Sequence, residues 1–337
     1  MEAIRLSDDL QKYLRAHEGE KGWIHSIFTD TFNVATPTGE LISVMSASRD
    51  IQPMSVMVAA TPREIRGLRA EETVVLNPHG LLFVESNRWL EVTGAEVWRS
   101  EMDLSGTLNP PEIQLSILKQ IESALKNRDV DVGLSPLIRE LGTLKGISSA
   151  GGTLENSTKT RDENATDKTI ENSVEMNEYC DFIKERVIRL IRAIEVEAYD
   201  MAIEEIPHLI GFGPGLTPSS DDMLCGMMLS LRYGESLKDA SIRNPEAFKF
   251  IDDIYTSCLG KTTQISEQML KYAAGGTAAE GYRQMIRCIY FEENENIDLC
   301  IGRVLSHGAS SGSDFLVGVY LMNQIRLRAY LEGNESI

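Results

Sequence analysis

Residues 211–226 read GFGPGLTPSSDDMLCG. Gly211, Gly213 and Gly215 alternate with other residues, and Thr217, Ser219, Ser220, Asp221 and Asp222 follow before the chain turns apolar. Glycine adopts positive φ at little steric cost and, lacking Cβ, lets a ligand approach the backbone. A helix start presents unpaired N–H groups and a partial positive charge, which suits phosphate or carboxylate. The hydroxyls of Thr217, Ser219 and Ser220 would add hydrogen bonds to that anion. Asp221 and Asp222 favour the helix dipole yet would repel an anion directly beside them. At least one is therefore expected to face a backbone N–H, a metal or a substrate amide, whose NH2 donates two hydrogen bonds that a carboxylate accepts. Pro218 is expected at the first helical position with Thr217 as cap, Ser219 and Ser220 being alternative caps.

A second stretch resembles the first. DMLCGMML begins at Asp222 and DFLVGVYL at Asp314, with Asp, Leu, Gly and Leu at the same offsets. Before the second lies SHGASSGS, which carries His307, Ser310, Ser311 and Gly312. Four matches in eight is within the reach of coincidence; the other reading is two similar loop-to-helix units. Gly226 and Gly318 each fall one turn into a helix, where glycine costs roughly 1 kcal/mol relative to alanine. Close crossing of two helices would explain both. The two helix starts are then expected to converge on one small anion, with Asp222 and Asp314, and Asp221 beside them, as the catalytic candidates. Thr263 and Ser266, in GKTTQIS at 260–266, would form a supporting polar edge or, more simply, a helix-to-helix turn capped by Thr262 or Thr263.

Other chemistries find little support. GFGPG lacks the third glycine of a dinucleotide fingerprint, since position 216 is leucine. GKTT would need glycine where Tyr255 stands to be a phosphate-binding loop. The five histidines, His17, His25, His79, His208 and His307, show no metal-ligand spacing. There is no G-x-S-x-G elbow for a serine nucleophile. Asp221-Asp222 could hold Mg2+ with phosphate oxygens, with helix capping as the plainer role; no cofactor is required, and no metal ligands are assigned.

Composition narrows the partners. A net charge of −18 and a pI near 4.8 argue against nucleic acid and against an anionic membrane face. The first twenty residues are charged throughout, without the apolar core of a signal peptide, and no run reaches the length of a membrane span. Five cysteines without paired spacing read as reduced, mostly buried thiols, so a cytoplasmic location is expected.

The elements that must position these groups fall into two parts, an α+β arrangement. Over 22–98, short runs rich in β-branched and aromatic residues alternate with turn formers: WIHSIF, TFNVAT, ELISVMS, MSVMVAA, TVVLNP, LLFVES and LEVTGAEVW. Seven such strands predict a β-rich barrel- or sandwich-like domain over 1–111. Pro110-Pro111 marks the switch to a mainly helical domain over 112–337. Ile113, Ile117, Leu118, Ile121 and Leu125 keep helical spacing, as do Tyr179, Phe182, Ile183, Val187, Leu190, Ile191, Ile194 and Ala198. Further helices are predicted over 223–232, 246–259, 262–274, 278–291 and 313–331. The polar stretch 146–176 reads as a flexible insertion or a lid.

GFGPGLTPSSDDMLCG resembles the signature GxGxGLTPSGDDxLxG of the family that includes the AllH-type subunit of oxamate carbamoyltransferase. ASSGSDFLVG is similar to that family's second patch, and TTQISEQMLKYAAGG to a helix between the two. The resemblance implies a β domain followed by a helical domain. It also implies partner subunits and transfer of a carbamoyl group between oxamate and phosphate, in allantoin and purine nitrogen breakdown. Carried over by position, the family's residues are Gly211, Gly213, Gly215, Thr217, Ser219, Asp221 and Asp222, with Ser311, Gly312 and Asp314. Ser220 departs from the signature, which has glycine there. Oxamate, oxalurate and carbamoyl phosphate are small, anionic and amide-bearing, which matches a site of N–H groups, hydroxyls and carboxylates. The expectation is a carbamoyltransferase subunit active within a complex. The alternatives are a non-catalytic small-anion-binding or scaffold subunit and a metal-dependent hydrolase or lyase of small carboxylates.

Overall fold

The computed structural model describes residues 1–59, 67–127, 133–141, 177–293 and 295–334, and the polar stretch 146–176 lies outside them. The amino-terminal part holds nine strands. They are β1 (Ala3–Ser7), β2 (Lys21–Ile27), β3 (Thr31–Ala35), β4 (Leu41–Ser46), β5 (Ser55–Val58), β6 (Thr73–Asn77), β7 (Gly80–Phe83), β8 (Arg88–Glu91) and β9 (Glu96–Trp98). All belong to one sheet in the order β8-β7-β6-β2-β3-β4-β5-β1-β9, curled into a half-barrel. The pairs β4–β5 and β1–β9 are parallel and the others antiparallel. The curl brings the two ends of the sheet together: Glu2 bridges to Glu91, and the Glu91 N–H donates to the Met1 carbonyl at 3.0 Å.

Alternation along the strands separates two buried faces. Phe32, Val34, Ile42, Val44, Val56 and Val58 enter the core of the half-barrel, where Leu10 and Leu14 of helix α1 (Asp8–Ala16) join them. Asn33, Leu41, Ser43, Met45 and Met57 occupy the other face. Every residue of β4 is buried because the helical part covers this second face. Two strands and a helix exceed the sequence expectation. LEVTGAEVW divides into β8 and β9 around Gly94, which takes φ +85°, and the charged start of the chain forms β1 and α1.

The remaining helices are α2 (Pro111–Lys126), α3 (Pro136–Leu141), α4 (Glu178–Glu195), α5 (Tyr199–Glu205), α6 (Ser219–Ser236), α7 (Pro245–Cys258), α8 (Gln264–Gly275), α9 (Glu280–Tyr290), α10 (Ile297–Leu305) and α11 (Ser311–Asn334). The architecture is the expected α+β, a strand-built part followed by a helical one. Helices α3, α5 and α10 have no counterpart among the predicted helices. On α4, the stripe is buried at Ile183, Val187, Leu190 and Ile194, while Phe182 is 67% exposed and stacks on Phe212 at 5.1 Å. No helix among the described residues is long and apolar enough to cross a membrane.

Helix α6 is the axis of the helical part, with 16 of its 18 residues buried. A helix enclosed on all sides must accept neighbours around its whole circumference. Its closest neighbour is α11, and the two glycines of the repeat set that approach. A Cβ on Gly226 would lie 2.2 Å from the Phe315 carbonyl oxygen, and one on Gly318 would lie 1.9 Å from that of Met223. The two contacts are reciprocal, so the two similar segments pack on each other through equivalent positions. The sheet docks through side chains that imitate a strand. Gln268 of α8 accepts from the Leu41 N–H and donates to the Leu41 carbonyl, both at 2.6 Å. A ladder of alternating charge adds to this: Arg5 pairs with Glu280, Glu280 with Arg303, and Arg303 with Asp50, at 2.7, 2.7 and 2.6 Å.

Alanine is a better helix former than glycine by roughly 1 kcal/mol, so replacement in an open helix would stabilise. At this crossing the added methyl meets backbone that cannot rotate away. Gly226→Ala and Gly318→Ala are each expected to destabilise by about 3 kcal/mol, read as a lower denaturant midpoint at unchanged slope. The double variant should cost less than the sum, because one separation of the helices relieves both clashes. A neutral or stabilised single variant would show that the helices do not meet this closely.

Candidate functional site

The glycine loop takes the backbone its composition requires. Gly211, Gly213 and Gly215 have φ of +74°, +117° and +100°. The helix start differs from expectation: α6 opens at Ser219, Pro218 is the N-cap, and no side chain caps it. The loop itself satisfies the helix instead. The Ser220 N–H donates to the Phe212 carbonyl at 3.0 Å, and the Ser220 hydroxyl accepts from the Phe212 N–H at 3.1 Å. That hydroxyl also lies within hydrogen-bonding reach of the Leu209 and Phe212 carbonyls. Serine at 220 therefore fastens the turn from inside.

Asp221 does the same from the other side. Its Oδ1 accepts from the Gly211 N–H at 2.8 Å and its Oδ2 from the Thr262 hydroxyl. Burial pushes this carboxyl up, against hydrogen bonds from Gly211, Thr262 and Ser266. Thr263 caps α8 by accepting from the Ser266 N–H at 3.1 Å and donates to the Leu216 carbonyl at 2.6 Å. Ser219, 1% exposed, backs Gly213, where a Cβ would lie 2.6 Å from the Ser219 nitrogen. These groups hold the loop. None of the three glycines lines the adjacent cavity, nor do Ser219, Ser220, Asp221, Thr263 or Ser266.

Thr217, Asp222, His307 and Ser311 do line it. The two sequence patches meet where the Thr217 and Ser311 hydroxyls lie 2.9 Å apart. They border a chamber of about 210 Å³ between the sheet and the helices. A second chamber of about 380 Å³ adjoins it, and Asn33, Ser43, Gln52, Ile265, Ala279 and His307 line both. Asp222 is fully buried, and its Oδ2 has no hydrogen-bond partner among the described residues. Burial, then the charge of Asp314, push its carboxyl well above the usual range, against the Ser311 and Thr217 hydroxyls. Asp314 lies behind it at the start of α11 and accepts from the Leu134 N–H at 2.6 Å. Gly312 packs on α10, a Cβ there falling 1.8 Å from the Val304 carbonyl oxygen, and the Ser310 carbonyl receives the Asp314 N–H at 2.8 Å. Both serve the second turn without lining either chamber.

His307 stands where the two chambers join. Its Nε2 lies 3.1 Å from Asp50 Oδ2 and its Nδ1 3.1 Å from the Arg303 carbonyl oxygen. Burial alone would raise Asp50, but hydrogen bonds from His307 and Arg303 outweigh it and hold the carboxyl below its usual range. Tyr282, stacked on Phe315 at 3.9 Å, covers the side of the chamber beside Asp222.

Several lining residues were not among the sequence candidates: Asn33, Ser43, Gln52, Asp50, Arg49 and Tyr282. An asparagine in the middle of the apolar run TFNVA is the one local signal, since asparagine is depleted in strands. Arg232 and Lys261, the cations near the motifs in sequence, do not line the chambers, and His208 is exposed outside them. Arg49 enters the second chamber from the sheet, paired with Asp30 at 2.9 Å. The two adjacent aspartates face different partners. Among the described residues one trio, Cys288, Glu295 and Cys300, has metal-ligand proximity, and it lines neither chamber. All five cysteines are buried, and none forms a disulfide among the described residues.

The burial of Asp222 has a sign. A carboxyl raised on folding contributes stability below its unfolded value, near 3.8, and loses it as pH rises through the folded value. Asp222→Asn removes that loss. The variant should match the parent at pH 4 and be equally or more stable at pH 7–8, read as Tm across the range. A variant destabilised equally at every pH would show that the carboxylate is not strained by burial.

Comparison with known families follows the same division of the chain. The model of the AllH family N-terminal domain matches residues 2–97. The model described as oxamate carbamoyltransferase subunit AllH matches residues 209–323, which contain both loop-to-helix units and the α8 segment between them. No solved structure matches the chain. The two matches together span most of its length, and the chain belongs to the AllH family.

Proposed function

We propose that this chain binds the small amide-bearing anion of a carbamoyl transfer in the chamber between sheet and helices. The reaction would be oxamate plus carbamoyl phosphate giving oxalurate plus phosphate, or its reverse, within purine nitrogen catabolism. The family's description as a subunit of oxamate carbamoyltransferase supports this class of activity and the presence of partner subunits. The observation that carries the reading is that both sequence patches contribute to one cavity, with Thr217 and Ser311 2.9 Å apart at its edge beside buried Asp222.

The chemistry needs a proton acceptor. The amide nitrogen of oxamate forms a bond to the carbamoyl carbon, the carbon–oxygen bond to phosphate breaks, and nitrogen loses a proton. Asp222 and Asp314 are two buried carboxyls within each other's field, which resist being ionised together. One proton shared between them leaves one carboxylate to receive the amide hydrogen, and burial gives Asp222 a higher proton affinity than an ordinary aspartate. Oxyanion stabilisation then falls to Thr217, Ser311 and the positive ends of α6 and α11, since the Gly211 and Phe212 N–H groups are engaged within the loop.

One observation favours a second reading, a binding subunit whose partner completes the chemistry. Neither lysine nor arginine lines the smaller chamber among the described residues, and Arg49 in the larger one is paired with Asp30. A leaving phosphate ordinarily meets a cation. Phosphate-dependent cleavage of oxalurate, measured for the chain alone and with its partner subunits, separates the two. On the first reading Asp222→Asn in the assembled enzyme lowers turnover by about 10²-fold or more with assembly intact. Near-normal turnover of that variant would leave only the binding role.

A further inference from the structure

The wall of the chamber opposite Asp222 comes from the sheet, and its chemistry is unlike its surroundings. Around it the second face of the sheet is apolar: Leu41, Met45 and Met57, each 7% exposed or less. Within it Asn33 and Ser43, 5% and 6% exposed, stand directly opposite each other on β3 and β4. Gln52 reaches over them from the segment before β5. Burying amides in an otherwise apolar face is unfavourable unless every polar group is engaged. A directional chain engages most of them. The Gln52 Nε2 donates to the Ser43 hydroxyl at 3.0 Å, that hydroxyl donates to Asn33 Oδ1 at 2.8 Å, and Asn33 Nδ2 donates to the Ser26 hydroxyl at 3.1 Å.

This polarity leaves one acceptor, Gln52 Oε1, and two donors, the second hydrogens of the Asn33 and Gln52 side-chain amides. Both residues line both chambers. We infer that Asn33, Ser43 and Gln52 form a carboxamide-reading subsite. Gln52 Oε1 accepts from the NH2 of a ligand amide or ureide, and Asn33 Nδ2 donates to its carbonyl. Ser43 fixes the orientation of both and is a positioning residue. The proposal rests on the reading that this chamber holds the small amide. It adds that selection for an amide over a bare carboxylate comes from the sheet, away from the glycine motif.

Oxamate and oxalate test it, because they differ only in that an amide replaces a carboxylate. Calorimetric titration of the full chain should give oxamate at least about tenfold tighter than oxalate, since oxalate offers no hydrogen to Gln52. Gln52→Leu should weaken oxamate about tenfold and bring the ratio close to one, with oxalate changed less than about threefold. Gln52→Glu keeps an acceptor and should retain more of the preference than the leucine variant. Equal affinity of the unaltered chain for both ligands, or a preference that survives Gln52→Leu, overturns the subsite while leaving the chamber's assignment standing. Binding of neither ligand to the unaltered chain overturns that assignment and this one with it.

Discussion

Two backbones in contact, with no side chain between them, fix the geometry from which the rest of this protein follows. At Gly226 and Gly318 the helices α6 and α11 meet so closely that a methyl group on either would overlap the other's carbonyl oxygen. Interiors packed to crystal-like density do not yield to such overlaps. The approach is tight two turns after each helix begins, and it draws together the loops leading into the helices. Thr217 touches Ser311 for this reason, and Asp222 feels the charge of Asp314. Patches some ninety residues apart in the chain become one surface because two glycines permit a crossing that no other residue would.

The same crossing creates an electrostatic tension. The chain is acidic, and two of its carboxyls are buried side by side at helix starts, the ends of a helix that favour negative charge. Dipoles and hydroxyls lower the penalty without removing it, and Asp222 remains raised. Not far away Asp50 is held in the opposite direction by Arg303 and His307. Two carboxyls shifted apart by their surroundings border adjoining chambers, an arrangement that lets one hold a proton while the other stays charged.

Division of labour within the glycine motif is the less obvious result. Most of its polar residues face inward: Ser219 backs Gly213, Ser220 ties the turn to Phe212, and Asp221 ties it to Gly211 and Thr262. Only Leu216, Thr217 and Asp222 from this stretch reach the chambers. The motif is dense because a rigid loop needs many internal bonds to present few groups. The facing wall is supplied by strands β3 and β4, held in place by Gln268 and by the charged ladder from Arg5 to Asp50.

Local pattern alone determined the strand-rich start, the helical remainder, the glycine turn with its three positive φ values and the paired Asp-x-Leu-x-Gly segments, because each rests on spacing within a few residues. It also carried the family resemblance, and Asp222, Thr217, Ser311 and His307 were legible as candidates. What tertiary structure decided was which candidates share a space. Asp221 and Ser220 looked like ligands because they sit in the motif, yet they turn inward, a matter of which way a helix faces. Asn33 showed only as an asparagine within an apolar strand, and Ser43 and Gln52 not at all, because local pattern gives no hint that a helical layer will cover this face of the sheet. Packing across the chain, through a sheet face buried against α8 and two helices crossing at glycine, made those residues part of one chamber.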